Sequence, residues 1–310
     1  MLTLFAMPKP FKGHFGIIQR NAIGSWTRLH PSCEILIFGD EEGTQQATKD
    51  LNVRHIPEVV RNEYGTPLLN DLFKKTEQSA SHDLFCYVNC DILLMDDFIQ
   101  AVDKVSHWRN RFLMVGECWN LDLTEPEAFE HRGWQSRVRT LVLEKGKSRG
   151  PWYIDYFVFS RGLYEHLPPF AVGRAGLDNW LIWKARDLKA DVVDASHFVT
   201  AVHQDHDYSH VAGGGNWSYH GNEARQNLEL AGGKKHYYLI LDATHRLDAK
   251  GLRRNFGAYL RLKFRWRFHI GPRVWRAVWN IAEITRPIRH PLGLHMTNVK
   301  WFKSCLSRQK

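Results

Sequence analysis

The chain has 310 residues, of which 44% are hydrophobic and 24% charged, and this composition excludes wholesale disorder and collagen-like or low-complexity chains. It contains no uncharged apolar run of about 18 residues, and its first residues lack a charged region followed by a long apolar stretch, so neither a membrane span nor a secretory signal is predicted. The five cysteines form no CxxC pair, which favours free thiols and a cytoplasmic location.

The net charge of +9 is unevenly distributed along the chain. Of the 42 lysines and arginines, 14 lie in residues 251–310 together with one of the 33 acids, Glu283, so this segment carries +13. The other 250 residues hold 28 bases and 32 acids, a net charge of −4. The sequence therefore predicts a mildly acidic body followed by a strongly basic C-terminal segment.

Strands and helices alternate in the first 90 residues. Short apolar runs closed by turn residues predict strands, and apolar residues at helical spacing predict the helices between them. The strands are expected at 2–7, 33–38, 53–56 and 84–88, and the helices at 17–29, 43–51 and 68–79. This alternation predicts an α/β fold with a mostly parallel sheet that is covered by helices on both faces.

The second part of the chain continues the pattern less regularly. Strands are predicted at 111–116 and 154–160, a helix at 177–187, and one or two strands within 190–203. Residues 117–150 are polar and poorly periodic, which predicts an insertion or loop near a binding face. We expect one domain over residues 1–245 and a basic, aromatic, helical extension over 246–310.

The strand at 84–88 is followed by Asn89, Cys90 and Asp91. A carboxylate at the C-terminal end of a central parallel strand lies at the edge where open α/β sheets bind ligands. Carboxylate oxygens are also the ligands that Mg²⁺ and Mn²⁺ prefer. Asp91 is therefore a candidate cation ligand, and the alternative is an aspartate that caps the following turn.

Residues 201–210 contain three histidines and two acids. Neutral imidazole is the commonest protein metal ligand, and His203, His206 and His210 are spaced to share an ion. A zinc hydrolase is conceivable from these three residues, but the HExxH pattern is absent and an apolar strand runs directly into His203. Hydrogen-bonding roles for these histidines remain the alternative.

Asp178 stands at a predicted helix start, after the glycine-rich turn at 173–176. As a helix cap it would contribute about 1 kcal/mol and need no function. As a general base it would have to face the same crevice as Asp91.

Five segments together resemble a bacterial group of nucleotide-diphospho-sugar transferases, which are glycosyltransferases with the GT-A fold. They are FGDEEG (38–43), YVNCDILL (87–94), DYFVFSRG (155–162), GRAGLDNWL (173–181) and VHQDHDYSH (202–210). In this resemblance residues 89–91 look like a variant of the DxD motif, Asp178 like the late catalytic acid and His203 like the late metal-binding histidine. It covers about residues 1–245.

The resemblance implies roles for individual residues. Asp91 and His203 would hold Mn²⁺ or Mg²⁺ on the donor diphosphate, with His206 as a further candidate ligand, and Asp178 would deprotonate the acceptor hydroxyl and so invert the configuration. The nucleotide, expected to be UDP, would contact Pro8, Asp40, Asn70, Asn89 and Asp91. The donor sugar and the acceptor would contact Asp155, Arg174, Asn179 and Trp180.

One position departs from the motif, because Asn89 stands where the DxD pattern has its first acid. An amide brings no charge, so weaker metal binding or metal-independent catalysis stays open. The expected function is transfer of a sugar to a glycan or lipid-linked acceptor in cell-surface polysaccharide synthesis. The alternatives are a sugar-phosphate nucleotidyltransferase and a non-catalytic scaffold with the same fold.

In the C-terminal segment, residues 256–281 interleave aromatic side chains with arginines and a lysine. This composition suits the headgroup zone of an anionic bilayer, so peripheral attachment to the inner face of the cytoplasmic membrane is the leading interpretation. Nucleic-acid binding and packing of the aromatic residues against the catalytic domain are the alternatives.

Overall fold

The protein is described by a computed structural model over residues 1–131, 133–207, 218–259 and 262. In chain order the described elements are β1 (Leu2–Ala6), α1 (Gly13–Trp26), β2 (Glu34–Phe38), α2 (Thr44–Asp50), β3 (Arg54–Ile56), α3 (Leu69–Ser79), β4 (Leu84–Val88), β5 (Ile92–Leu93), α4 (Asp96–Trp108), β6 (Phe112–Val115), β7 (Cys118–Leu121), α5 (Trp134–Lys145), β8 (Lys147–Ser148), β9 (Tyr156–Ser160), α6 (Leu177–Asp187), β10 (Asp191–Asp194), β11 (Ala201–Gln204), α7 (Asn222–Leu230), β12 (His245–Asp248) and β13 (Gly251–Arg254).

The larger sheet orders its described strands β13-β12-β10-β6-β9-β4-β1-β2-β3. Strands β4, β1, β2 and β3 are parallel neighbours, and so are β12, β10 and β6. Strand β9 lies between these two groups and runs antiparallel to both β4 and β6. The outer strand β13 is antiparallel to β12. The α/β class with a mostly parallel sheet, expected from the sequence, is confirmed.

Helices cover both faces of this sheet. On one face Trp26 of α1 and Phe98 of α4 pack against Leu4 and Val88 of the central strands. On the other face α3 and α6 pack against β1, β2 and β4. Because both faces are buried, the central strands are continuous apolar runs without polar alternation, which is why they were readily predicted.

A second, smaller sheet has the order β5-β11-β7-β8 and lies beside the end of β4. Its strand β11 pairs in parallel with β7, which sets His203 opposite Asn120, and antiparallel with β5, which sets His203 opposite Ile92. Helix α5 covers this sheet through Trp134 and Val138. The short strand β5 thereby connects the Asn89–Asp91 turn to the strand that carries His203.

An insertion or a loop near a binding face was expected over 117–150, and the loop alternative is wrong, because this region supplies β7, α5 and β8. Strand β7 has only four residues, and its two central ones are only partly buried, so it lacks the apolar run that revealed the central strands. Residues 246–254, expected to begin a helical extension, instead complete β12 and form β13 on the main sheet. Most of the remaining extension, and His210, lie outside the described residues.

Among the described residues, no helix is both long enough and apolar enough to cross a bilayer.

Gly116 follows β6 where the Tyr156 hydroxyl comes very close. A Cβ added at Gly116 would clash with that hydroxyl, which is itself buried without a hydrogen-bond partner in the described structure. We expect Gly116→Ala to destabilise the protein by about 1–3 kcal/mol because the packed site cannot expand. Tyr156→Phe, which removes an unsatisfied hydroxyl, should be neutral or stabilising.

Urea unfolding of the two single variants and the double variant measures this coupling. The double variant should recover part of the loss caused by Gly116→Ala. Additive effects would show that the hydroxyl is not the obstacle.

Candidate functional site

A cavity of about 400 Å³ opens at the carboxyl ends of β1 and β4. The loops after these strands, the residues preceding β9 and the start of α6 form its walls. Nine of the residues selected from the sequence line it: Pro8, Asn89, Asp91, Asp155, Arg174, Asp178, Asn179, His203 and His206. The position agrees with the general location of ligand sites in open α/β sheets.

Asp91, His203 and His206 form a three-residue cluster in this cavity. One potential ligand atom from each lies within 4.8 Å of the others. His206 Nε2 is 3.0 Å from Asp91 Oδ2, and His203 Nε2 is 4.0 Å from Asp91 Oδ1. Asp91 Oδ1 is buried and makes no hydrogen bond within the described structure. An acceptor oxygen left in this way beside two imidazoles fits a cation ligand.

The tautomers of both histidines follow from their outer contacts. His203 Nδ1 lies 2.8 Å from the Asn120 side-chain oxygen, and His206 Nδ1 lies 2.6 Å from the Asp207 carbonyl oxygen. Oxygens of this type only accept hydrogen bonds, so each Nδ1 carries the proton and donates it. The Nε2 lone pair of His203 therefore faces Asp91, and His206 Nε2 lies 3.0 Å from both Asp91 Oδ2 and Lys9 Nζ. The outer hydrogen bonding of both rings is typical of metal-binding histidines.

The electrostatics favour the charge states that a cation site needs. Burial alone would raise the pKa of the Asp91 carboxyl, but the Lys9 ammonium and the hydrogen bond from His206 outweigh it and hold that pKa well below its usual range. Burial lowers the pKa of His203 to about 4, against the opposing effect of the Asp91 carboxylate. At neutral pH the cluster is thus one carboxylate and a neutral His203, ready to accept a cation.

Buried amides fix the backbone of Asp91. The Gln204 backbone N–H and its side-chain amide both donate to the Asp91 carbonyl oxygen, at 3.1 and 3.2 Å. Asn21 in α1 in turn donates to the Gln204 side-chain oxygen at 3.0 Å. The cluster is therefore anchored to α1 and β11 as well as to β4, which restricts its freedom to move.

Asn89 is oriented by Asp155. Its side-chain amide donates to Asp155 Oδ1 at 3.1 Å, and its backbone N–H donates to the Asp155 carbonyl oxygen at 3.0 Å. The Arg149 guanidinium lies 3.7 Å from Asp155 Oδ2. The antiparallel direction of β9 explains this meeting, because Asp155 precedes β9 at the same edge where Asn89 follows β4.

Asp178 is the second residue of α6, and the helix begins after Gly176, whose φ is +105°. Gly176 is the N-cap residue, and no side-chain capping bond is formed at this helix end, so the helix-cap interpretation of Asp178 is wrong. The half-buried side chain lines the cavity. Burial and the neighbouring Asp155 carboxylate raise the pKa of Asp178 to about 8, despite Arg149.

Arg174 and Asn179 line the cavity while holding parts of its wall together. Arg174 Nε donates to Glu223 at 2.8 Å, and a terminal guanidinium nitrogen lies 3.3 Å from the Thr66 hydroxyl. The Asn179 side-chain amide donates to the Tyr238 carbonyl oxygen at 2.8 Å. Both residues are at the cavity, and these contacts tie α6 and its preceding loop to neighbouring segments.

Three residues selected from the sequence lie outside this cavity. Asp40 is exposed and pairs with Arg61 at 2.9 Å, and Asn70 lines a different surface depression. Trp180 is buried in the core, where its ring centre lies 5.2 Å from the ring centre of Phe170. Helix geometry explains why the Trp180 side chain points away from the cavity. Positions two apart on α6 face in different directions, and Asp178 faces the cavity.

Other functional candidates were missed in the sequence. Lys9 and Arg149 line the cavity, and Asn120 orients His203. Lys9 lies three residues after the end of β1 and, like Asp91, belongs to the loop after a central strand, so the same rule could have found it. Arg149 and Asn120 belong to the region expected to be a loop, and no local pattern marks them.

Comparison with known proteins gave similarity only among solved structures. No family model and no curated protein matches the chain. Glucosyl-3-phosphoglycerate synthase from Mycobacterium tuberculosis, in complex with Mg²⁺ and UDP, is 15% identical, with 75% of this chain and 80% of that chain covered and a TM-score of 0.46. S. aureus TarS 1-349, in complex with UDP-GlcNAc, is 11% identical, with 67% and 60% covered and a TM-score of 0.47.

The Asn120 contact to His203 generates a prediction about metal affinity. Asn120→Ala removes the acceptor that fixes the His203 tautomer and ring orientation, so we expect about tenfold weaker binding of Mn²⁺. His203→Ala, which removes a ligand, should weaken binding further. Calorimetric titration with Mn²⁺ measures both effects.

The matched control is Asn110→Ala, because Asn110 is exposed and lies outside this cavity. The Asn110→Ala protein should bind Mn²⁺ with the same affinity as the wild type. Unchanged Mn²⁺ affinity in Asn120→Ala would contradict the orienting role, and unchanged affinity in His203→Ala would remove His203 from the site.

Proposed function

We propose that this protein is a glycosyltransferase that moves a sugar from a nucleotide-diphosphate donor to a hydroxyl of a glycan or lipid-linked acceptor. The observation that carries this proposal is that one cavity combines the Asp91–His203–His206 cluster with the half-buried Asp178 carboxyl group. The first arrangement suits a cation on a diphosphate, and the second suits removal of a proton. Both are needed when a nucleoside diphosphate leaves as a hydroxyl attacks.

The donor would bind with its diphosphate against the cluster. Mn²⁺ or Mg²⁺ held by Asp91, His203 and His206 would neutralise charge on the departing diphosphate. Arg61, Arg149 and Arg174 also line the cavity, and guanidinium groups match phosphate oxygens in geometry as well as charge. Pro8 and Asn89 border the same space, and the sequence resemblance favours UDP as the nucleotide.

Asp178 would act as the general base. The acceptor oxygen forms a bond to the anomeric carbon, the bond from that carbon to the diphosphate oxygen breaks, and the hydroxyl proton passes to the Asp178 carboxylate. Attack from the side opposite the leaving group inverts the configuration. A carboxyl group with a pKa of about 8 is a stronger base than an ordinary aspartate, although it must first lose its proton.

Aromatic residues also line the cavity and are proposed to bind the acceptor. Trp152, Tyr153 and Tyr237 line the cavity together with Asp155 and Asn179. Aromatic rings provide a flat apolar surface with a polar edge, and such a surface suits the faces of sugar rings. A glycan or a lipid-linked sugar is therefore the proposed acceptor, in keeping with a role in cell-surface polysaccharide synthesis.

The basic C-terminal extension is proposed to attach the protein to an anionic membrane surface. The support is compositional: residues 251–310 carry +13, and residues 256–281 alternate aromatic and basic side chains. Aromatic residues suit the interface and each basic residue near an anionic surface adds about 1 kcal/mol. Such attachment would bring the cavity close to a lipid-linked acceptor on the cytoplasmic face.

The general-base role predicts that Asp178→Asn loses turnover but keeps donor binding. Turnover should fall by about 10²–10⁴-fold because the amide cannot accept the proton, while UDP binding in the presence of Mn²⁺ is retained. In the wild type kcat/KM should rise with pH up to about 8, since Asp178 must be ionised. Steady-state rates across this pH range and calorimetric binding test both statements.

Asp187→Asn at the exposed far end of the same helix is the control. Its turnover should match the wild type, whereas near-normal turnover in Asp178→Asn would contradict the base role. Product analysis tests the reaction class, because a free nucleoside diphosphate indicates glycosyl transfer and pyrophosphate indicates a nucleotidyltransferase. The absence of either product would favour the scaffold alternative.

The membrane proposal predicts lipid-dependent flotation of the full chain. The protein should float with vesicles that contain anionic lipid and remain behind with neutral vesicles. Replacing Arg261, Lys263, Arg265 and Arg267 with glutamine should reduce flotation. Binding that is independent of anionic lipid would contradict this attachment, and retention on RNA instead would favour the nucleic-acid alternative.

A further inference from the structure

The Asp91 cluster already contains a positively charged group, the ammonium of Lys9. Lys9 Nζ lies 3.0 Å from Asp91 Oδ2 and 3.0 Å from His206 Nε2. His206 Nε2 also lies 3.0 Å from Asp91 Oδ2, so the three groups form one close cluster. The ammonium therefore donates to Asp91 Oδ2 and contacts His206 Nε2, which are two of the atoms that would bind a divalent cation.

The position of Lys9 is fixed by more than this ion pair. Its backbone N–H donates to the Gln19 side-chain oxygen at 2.6 Å, and its carbonyl oxygen accepts from the Gln19 amide at 2.9 Å. The Lys9 ammonium also lies 5.1 Å from the centre of the Phe15 ring, within the range of a cation–π contact. The loop after β1 thus delivers a positive charge to the cluster from a fixed backbone.

A divalent cation and this ammonium cannot use the same atoms together. An atom that accepts a hydrogen bond from Nζ has its lone pair directed at a proton, and two positive charges at this separation repel each other. Asp91 Oδ1 and His203 Nε2 remain open to a cation, but the third ligand becomes available only when Lys9 moves away. The flexible four-carbon stem of lysine permits that movement without a change in its backbone.

We propose that Lys9 is a built-in competitor for the divalent cation and sets the metal affinity of the site. In the ligand-free protein its ammonium neutralises Asp91. When Mn²⁺ or Mg²⁺ binds, the ammonium is displaced into the cavity, where it remains available to an anionic group of the donor. This inference rests on the cation site of the proposed function and not on sugar transfer itself.

The test is direct titration of the nucleotide-free protein with Mn²⁺, with free Mn²⁺ followed by electron paramagnetic resonance. Lys9→Met keeps an apolar stem as far as the Cε position and removes the ammonium, so it should bind Mn²⁺ at least tenfold more tightly than the wild type. Lys9→Gln is a second neutral variant in case the first is unstable, and thermal unfolding identifies a misfolded protein. Lys12→Met is the control, because Lys12 is exposed and pairs with Glu42 outside the cluster.

Tighter Mn²⁺ binding in the neutral Lys9 variants, with no change in Lys12→Met, supports competition even if the protein transfers no sugar. Equal or weaker binding in folded Lys9 variants overturns it, whether or not transfer is observed. If neither the wild type nor the variants bind Mn²⁺, the cation site and this inference both fail.

Discussion

The buried negative charge of Asp91 is the constraint on which the rest of the site depends. A carboxylate that is 6% exposed loses most of its hydration and is stable only beside positive charge or hydrogen-bond donors. The chain meets this requirement with Lys9 and His206 on one oxygen and leaves the other oxygen facing His203. The residues around this charge therefore form a site that fits a cation, as proposed above.

The fold brings these partners together from distant parts of the chain. The central strands end at one edge, so the loop after β1 and the turn after β4 meet there, and the small sheet adds β11 with its histidine. The antiparallel strand β9 begins at this edge and contributes Asp155. Donor binding and proton removal can thus share one cavity, while Asp91 and Asp178 keep opposite pKa shifts. Such divergent shifts are typical of groups with different chemical tasks.

Much of this arrangement could be predicted from local sequence. Apolar runs marked the central strands, the strand-end rule selected Asp91, and the histidine-rich segment 201–210 selected His203. The same reasoning cannot tell which way a side chain points, so Trp180 was placed at the site although it faces the core. Contacts such as Lys9 with His206, which are 197 residues apart, leave no local pattern. Asn120 was missed because β7 is too short and too polar to show periodicity, and Arg149 was missed because it follows β8, which has only two residues.

The measurement that tests this account most directly is UDP binding by calorimetry, with Mn²⁺ and with EDTA, in the wild type and in Asp91→Asn. The substitution keeps the shape of the side chain and removes the charge that holds the cation. We expect the wild type to bind UDP much more tightly with Mn²⁺, and Asp91→Asn to bind it weakly and equally under both conditions. An unchanged Mn²⁺ dependence in Asp91→Asn would contradict the central role of Asp91.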